Sequence, residues 1–374
     1  MRRVLTILFI SVFIISAFSP VYAEAPRSAF YVMHKGSGTT LTSENEDALL
    51  PVSGLSRIAP LLIITEAIDN GGFSLDTDIT VSKKASQIHG STAFLDANEV
   101  ISAEGLYKSA AMIGAGDAIY ALAEGIYGSA EKFTESMNSR LKALGADVIY
   151  TDITGDGTEL SARNIAKIAA ALSDHEVYLK YSSVYMDKIV HTGGRETELV
   201  NQNRLIRTMQ GCRGLFTGSS KAAGYCGAFY IERNGCELIC VTLGEESSAS
   251  RFDHARNEIE AVFSSYHENK LAQKGDTVIA QYPVTGSTVG TCELVAASDA
   301  SVLTEQGQKL TTAYNLPDSL TAPVHAGDCV GNAVYSDESG NVLASVELTV
   351  NADIEKAGFF DFFRLTALCL TGGM

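Results

Sequence analysis

Two β-rich runs that meet at Asn234-Gly235 constrain the fold of this chain most strongly. In GYCGAFYIERNGCELICVTLG, residues 224–244, both runs are rich in β-branched and aromatic side chains. Asn-Gly between two such runs is a strong hairpin signal, because both residues tolerate the positive φ that a tight turn needs. The sequence therefore predicts an antiparallel hairpin at this point.

A second hairpin and a set of helices precede it. Residues 29–42, AFYVMHKGSGTTLT, predict two strands joined by a turn at 35–38. Amphipathic helices are predicted at about 57–70, 103–126, 129–144, 161–174 and 251–265. Strands, a long helical insertion, then strands and a helix indicate an α+β domain in which an antiparallel sheet carries a helical subdomain.

The pattern changes near residue 270. Over 270–352 the apolar segments are short, alternate with polar residues and are separated by Gly, Pro, Asn and Asp, which predicts a small C-terminal β-sandwich. The tail, 353–374, is aromatic-rich but not long enough to span a bilayer, so it is expected to be amphipathic and to lie on a membrane surface. The alternative is a terminal helix packed on the sandwich. The apolar residues of the tail are Phe359, Phe360, Phe362, Phe363, Leu365 and Leu368.

The N-terminus, MRRVLTILFISVFIISAFSPVYA, has the layout of a signal peptide over residues 1–23. Two arginines precede an apolar run, and the segment ends in a small-x-small pattern. An uncleaved membrane anchor is the alternative. Either one predicts that the rest of the chain is exported to the extracytoplasmic face of the membrane or to the cell wall.

Composition excludes some classes of function. The 374 residues include 28 Lys and Arg against 44 Asp and Glu, and no basic cluster is present, so a nucleic-acid partner is not expected. Seven cysteines lack the paired spacing of a zinc site, and the sequence predicts neither a metal nor a cofactor. The sequence is compatible with a Cys212–Cys226 disulfide and equally with seven free thiols.

A search for a nucleophile gives only weak matches. Serine acyl-transferases without a histidine use Ser-x-x-Lys at a helix start, where the lysine accepts the hydroxyl proton. The literal matches are Ser129 to Lys132 and Ser139 to Lys142. Both lie within one predicted amphipathic helix, and Ser129 is better explained as the N-cap of that helix.

Other stretches resemble the D-alanyl-D-alanine carboxypeptidases, the low-molecular-mass penicillin-binding proteins of peptidase family S11, from about residue 28 to 363. The resemblance is carried by LLIITEAIDNGG, by GSTAFLDANEVISAEGLYKSAAMIGAGDAIYALAEGIYGSAEKFTESMNSRLKALGA, by LVNQNRLIRTMQGCRGLFTGSSKAAGYC and by APVHAGDCVG. It implies a penicillin-binding transpeptidase or β-lactamase-like domain at 24–268, a β-sandwich at 270–352 and a surface-lying tail. The family's activity is the removal of the terminal D-alanine of peptidoglycan stem peptides.

The three catalytic motifs of that family are altered here. Gly54 and Arg57 stand where the family has the serine and lysine of Ser-x-x-Lys. Gly114-Ala115-Gly116 replaces Ser-x-Asn, and Phe216-Thr217-Gly218 replaces Lys-Thr-Gly. Glycine offers no nucleophile, arginine does not release its proton, and Phe216 removes the cation that binds the substrate carboxylate.

Neighbouring serines are poor substitutes. Ser53 and Ser56 flank Gly54, but each step along a helix turns a side chain by about 100°. Pro60 lacks an N–H and crowds the carbonyl of Ser56, so the helix start is expected to be displaced.

We therefore expect a pseudoenzyme that acts in peptidoglycan-associated binding or regulation, with a stem peptide or an envelope protein as its partner. A working carboxypeptidase with an unorthodox nucleophile is the alternative. Phe216 is expected to lie close to Gly54 and Gly116 and to make the cleft more apolar.

Overall fold

The structure, a computed structural model, describes residues 27–361. The predicted signal peptide, Cys369 and most of the predicted tail, including Phe362, Phe363, Leu365 and Leu368, lie outside the described residues.

Between residues 27 and 265 the structure has twelve strands and eight helices. The strands are β1 Ala29–His34, β2 Thr40–Glu44, β3 Leu50–Pro51, β4 Asp78–Thr80, β5 Val100–Ser102, β6 Glu159–Leu160, β7 Met186–Val190, β8 Glu196–Val200, β9 Cys212–Gly214, β10 Thr217–Ser220, β11 Gly224–Arg233 and β12 Cys236–Glu245. The helices are α1 Ile58–Asp69, α2 Ala103–Ile113, α3 Gly116–Tyr127, α4 Ala130–Ala143, α5 Ala162–Leu172, α6 Glu176–Ser182, α7 Leu205–Thr208 and α8 Ser248–Ser265.

The central sheet has the order β10-β11-β12-β1-β2, and β9 also pairs with β11. Both predicted hairpins are confirmed, because β1 pairs antiparallel with β2 and β11 with β12. Asn234 and Gly235 at the second turn have φ of 52° and 86°. The predicted antiparallel sheet is therefore formed, and β10 is its end strand.

The sheet separates two apolar cores. Tyr31 and Met33 of β1 pack with the helices of the insertion, whereas Val32 packs on the opposite face with Phe252 and Ile259 of α8. This alternation follows from the two-residue repeat of a strand. The helical subdomain and α8 thus cover opposite faces of the sheet.

Four of the five predicted helices are confirmed, the fifth is divided at the second motif, and α6 and α7 were not predicted. The predicted helix at about 103–126 is wrong as one element, because α2 ends at Gly114, which has a left-handed φ of 61°, and α3 starts at Gly116. At the first motif a 3-10 helix spans Ser53–Arg57 and α1 begins only at Ile58, which agrees with the displacement expected from Pro60.

The two literal Ser-x-x-Lys matches lie on α4 and its cap. The Ser129 side chain accepts a hydrogen bond from the backbone N–H of Lys132 at 3.3 Å. Ser139 and Lys142 fall within the same helix. Capping explains Ser129, as predicted.

The C-terminal part is β-rich, as predicted. Its strands are β13 Tyr266–Ala272, β14 Thr277–Thr285, β15 Thr291–Ala296, β16 Ala300–Glu305, β17 Thr311–Asn315, β18 Leu320–Thr321, β19 Cys329–Ser336 and β20 Val342–Val350. Six strands form one sheet in the order β17-β19-β20-β15-β14-β18, and β13 pairs with β16 in a second. β13 follows α8 directly. Leu294, Ala333 and Leu348 are fully buried at the centre of this domain.

The thiols of the six cysteines within residues 27–361 are free. The option of a Cys212–Cys226 disulfide is not realised, because the two residues belong to the separate cores on opposite faces of the sheet. No group of His, Cys, Asp and Glu in the same range could hold a metal ion. In that part of the chain no helix combines the length and apolar character needed to cross a bilayer.

Candidate functional site

A cavity of about 700 Å³ lies where the three altered motifs meet. Ser53, Gly54 and Arg57 line it from the 3-10 helix, and Phe216, Thr217 and Gly218 line it from the region of β10. Gly114 and Gly116 lie behind this wall, against Phe216 and Arg57 respectively. The fold therefore brings together motif positions that are up to 164 residues apart in sequence.

Gly54 faces open space. A Cβ built on this residue would have no heavy atom within 4 Å. The position could hold a serine without steric conflict, so the missing nucleophile reflects the sequence and not a lack of room.

The Arg57 side chain is tied to the protein itself. It is only 3% exposed, and its Nη1 donates to the carbonyl oxygens of Ser91 and Gly114, both at 2.8 Å. Nη2 donates to the carbonyl of His89 at 2.9 Å and lies 3.8 Å from a carboxylate oxygen of Asp156. These bonds use the guanidinium as a structural donor, and a guanidinium has no acceptor for a serine proton.

The pKa of Arg57 is lowered by burial, and the carboxylates of Asp156 and Asp117 oppose this effect. Arginine starts from so high a value that the group stays charged at neutral pH. Arg57 thus buries a positive charge at the position of the family's general base.

The two glycines of the second motif leave room for large side chains of the other two motifs, Gly116 for Arg57 and Gly114 for Phe216. A Cβ on Gly116 would lie 2.8 Å from Cζ and Nη2 of Arg57 and 2.8 Å from Cγ2 of Ile88. A Cβ on Gly114 would lie 3.8 Å from the Phe216 ring. Arg57 has therefore taken the space that a side chain at 116 would need.

Phe216 points into the core. Its side chain is 4% exposed and meets the Tyr178 ring edge-on, with centroids 6.3 Å apart. Phe216 is among the residues that line the cavity, but its buried side chain presents little apolar surface there. The residue removes a cation from the cavity without adding a large apolar surface to it.

Strand β10 holds a tight contact with the first motif. A Cβ on Gly218 would lie 3.0 Å from the backbone nitrogens of both Gly54 and Leu55, so only glycine lets the two segments approach this closely. Thr217 pairs with Gly227 of β11. Since β10 ends the sheet and four of its residues line the cavity, the outer edge of this strand lies beside the cavity, with the Ser219 carbonyl already bound by the Ser53 hydroxyl.

Ser53 and Ser56 do not form an alternative catalytic pair. The Ser53 hydroxyl donates to the Ser219 carbonyl at 3.0 Å. Ser56 is fully buried and lies 3.1 Å from the carbonyls of Ser53 and Thr154. Among the described residues that line the cavity there is no lysine to accept a proton from either serine.

Arg251 is a residue of the cavity that the sequence analysis missed. It is 5% exposed, donates from Nη1 to the carbonyls of Gly218 and Cys226 at 3.2 and 3.1 Å, and its Nε has no partner among residues 27–361. Burial lowers its pKa to about 10, so the cavity keeps a positive charge at neutral pH. The sequence did contain a signal for this residue, because Arg251 lies within the apolar stripe of α8, next to Phe252, where a charged side chain is unusual.

We expect Gly116→Ala to destabilise the protein by about 1–3 kcal/mol, because the new methyl group overpacks against Arg57 and Ile88. In an Arg57→Lys background the cost should fall by about 0.5 kcal/mol or more, since residues in contact are energetically coupled. Gly54→Ala, which meets open space, is the matched control. Thermal unfolding of the unmodified protein, Gly116→Ala, Arg57→Lys and the double variant measures the coupling. Strictly additive costs would show that Arg57 is not what restricts position 116.

The chain matches known families over most of its length. Residues 18–247 match the family described as D-alanyl-D-alanine carboxypeptidase, and residues 266–356 match the penicillin-binding protein 5 C-terminal domain. The chain is similar to the D-alanyl-D-alanine carboxypeptidase DacF of Bacillus subtilis, with 28% identity over 98% of both chains. It is also similar to DacC of Escherichia coli, with 27% identity over 90% of this chain and 87% of the relative.

Solved structures share the fold. Penicillin-binding protein 5 from Haemophilus influenzae superposes with a TM-score of 0.74 at 24% identity, over 88% of this chain and 97% of that one. A peptidoglycan synthesis regulatory factor, PBP3, from Streptococcus pneumoniae gives 0.73 at 21% identity, over 89% and 100%. The first family model covers more than half of the sequence and includes all three altered motifs, and the chain belongs to the D-alanyl-D-alanine carboxypeptidase family, peptidase S11.

Proposed function

We propose that this chain is an exported, non-hydrolysing member of its family that binds a peptide ending in D-alanyl-D-alanine. One observation carries the proposal. The motif positions converge on a cavity that retains a strand edge and a cation, while Gly54 and Arg57 supply neither nucleophile nor base. Export is proposed from the sequence of residues 1–23.

The retained features suit an extended peptide with a free carboxylate. The outer edge of β10 offers backbone groups for strand addition, which needs no catalytic side chain. Arg251 supplies the guanidinium for the terminal carboxylate in place of the cation that is missing at Phe216.

Contact of the 353–374 tail with a membrane belongs to the same proposal. Phe359 and Phe360 are 80% and 83% exposed, and exposed aromatic side chains can enter the surface of a bilayer.

A direct test compares two peptides. We expect millimolar or weaker binding of a peptide that ends in D-alanyl-D-alanine and about tenfold weaker binding of its C-terminal amide, because a hydrogen bond to a charged group contributes about 1.5 kcal/mol or more. Calorimetric titration measures both affinities, and released D-alanine is assayed in the same samples. No release is expected.

Two outcomes would contradict the proposal. Equal affinity for acid and amide would mean that the cavity does not hold the peptide terminus, and an envelope protein would become the better partner. Release of D-alanine would instead support the working carboxypeptidase.

A further inference from the structure

A second cavity, of about 360 Å³, adjoins the first. The two share His89 and Gly90, and the second is further lined by Thr92, Phe94 and Asp96. A ligand that fills the first cavity can therefore continue into the second past His89.

Phe94 has an unusual combination of exposure and backbone strain. Its side chain is 68% exposed, and its φ is +58°, a left-handed value that costs a non-glycine residue about 1–3 kcal/mol. Contacts on both sides hold it there: Arg195 Nη2 donates to the Phe94 carbonyl at 2.8 Å, and Leu95 N–H donates to Asp117 at 3.2 Å. Strain that neighbours maintain around an exposed ring is typical of a ligand-binding position.

The charges of this cavity are already compensated. Asp96 pairs with Arg195 at 2.9 Å, and the Asp117 carboxylate accepts hydrogen bonds from the N–H groups of Ala93, Leu95 and Ala118. A cationic ligand would compete with these partners, and an anionic ligand would meet two carboxylates. A neutral ligand fits this pattern best.

Two polar side chains, His89 and Thr92, line the same cavity as Phe94. Within residues 27–361, neither the His89 imidazole nor the Thr92 hydroxyl has a side-chain hydrogen bond. Binding sites of this kind combine an apolar or aromatic surface with a few polar groups that fix orientation. A pyranose ring has a matching arrangement, since its C–H face can cover an aromatic ring while its hydroxyl groups reach donors and acceptors at the edge.

We propose that the second cavity binds a neutral saccharide ring stacked on Phe94 and hydrogen-bonded to His89 and Thr92. The chain then recognises a saccharide linked to a peptide across the two adjoining cavities. The peptide half of this inference rests on the proposed function, and the saccharide half does not. Arg195 is a positioning residue, because it acts through the Phe94 carbonyl.

The test uses the chain without residues 1–23 and the neutral oligosaccharide tri-N-acetylchitotriose, followed by saturation-transfer NMR and calorimetry. Phe94→Ala should weaken saccharide binding by about tenfold, or 1.4 kcal/mol, while Phe94→Tyr keeps it. Tyr314→Ala, at a 47% exposed aromatic of β17, is the matched control and should leave binding unchanged. The thermal midpoint of each variant checks that it is folded.

The readout separates this inference from the proposed function. Saccharide binding that depends on Phe94 supports the second cavity whether or not the D-alanyl-D-alanine peptide binds. No saccharide binding, or equal binding by Phe94→Ala, overturns the inference even if the peptide binds as expected.

Discussion

Incubation of the purified protein with a fluorescent penicillin is expected to leave it unlabelled. The family resemblance places the nucleophile of acylation at position 54 and its base at position 57, where the chain has glycine and a guanidinium bound to three carbonyl groups. In another serine hydrolase, loss of the nucleophile or its base lowers turnover by about a million-fold. That factor corresponds to about 8 kcal/mol of barrier. Labelling on a gel measures acylation by the penicillin, and D-alanine release measures acylation by a peptide, because D-alanine is the leaving group of that step.

Variants at the first motif make this expectation sharper. Gly54→Ser introduces a hydroxyl into open space and should still remain unlabelled, because Arg57 cannot take up the proton. The Gly54→Ser, Arg57→Lys double variant restores the hydroxyl and the amine of the first motif. Its labelling is the result with which the single variant is compared. A stable adduct of the unmodified protein that disappears in Ser53→Ala or Ser56→Ala would contradict the pseudoenzyme proposal.

Arg57→Met is expected to lower the free energy of unfolding by about 3 kcal/mol. The variant removes charge-assisted hydrogen bonds to Ser91, Gly114 and His89, each of which contributes about 1.5–3 kcal/mol. The saved desolvation of the charge offsets part of this loss. For a domain of this size the thermal midpoint should fall by about 6–12 °C.

Arg140→Ala is the matched control for Arg57→Met. Arg140 is 38% exposed and pairs with Glu66 at 2.7 Å on the surface of α4. Ion pairs near the surface contribute about 1 kcal/mol or less, so a smaller change than for Arg57→Met is expected. Equal thermal midpoints for Arg57→Met and the unmodified protein would show that Arg57 does not hold the cavity wall together.

Much of the fold could be predicted from local sequence patterns. The Asn234-Gly235 turn, the Ser129 cap and the end of α8 near Ser265 depend on short-range rules of backbone geometry, and the structure confirms them. The break between α2 and α3 was not predicted. Gly114 follows the last residue of α2 and has a left-handed conformation, which ends the helix. The break could not be recognised from the sequence, because the helical spacing of apolar residues continues on both sides of Gly114.

The sequence by itself determined which groups occupy the motif positions, because it shows that Gly54, Arg57 and Phe216 cannot supply a nucleophile, a base and an exposed cation. Only the tertiary structure decided what these residues do instead. Arg57 binds carbonyls of two loops and Phe216 packs on Tyr178, and both contacts join segments far apart in the chain. Side-chain direction and burial depend on such long-range packing, which no local pattern records. For the same reason only the folded chain shows which cavities Arg251 and Phe94 line, although the place of Arg251 in the apolar stripe of α8 was a local signal.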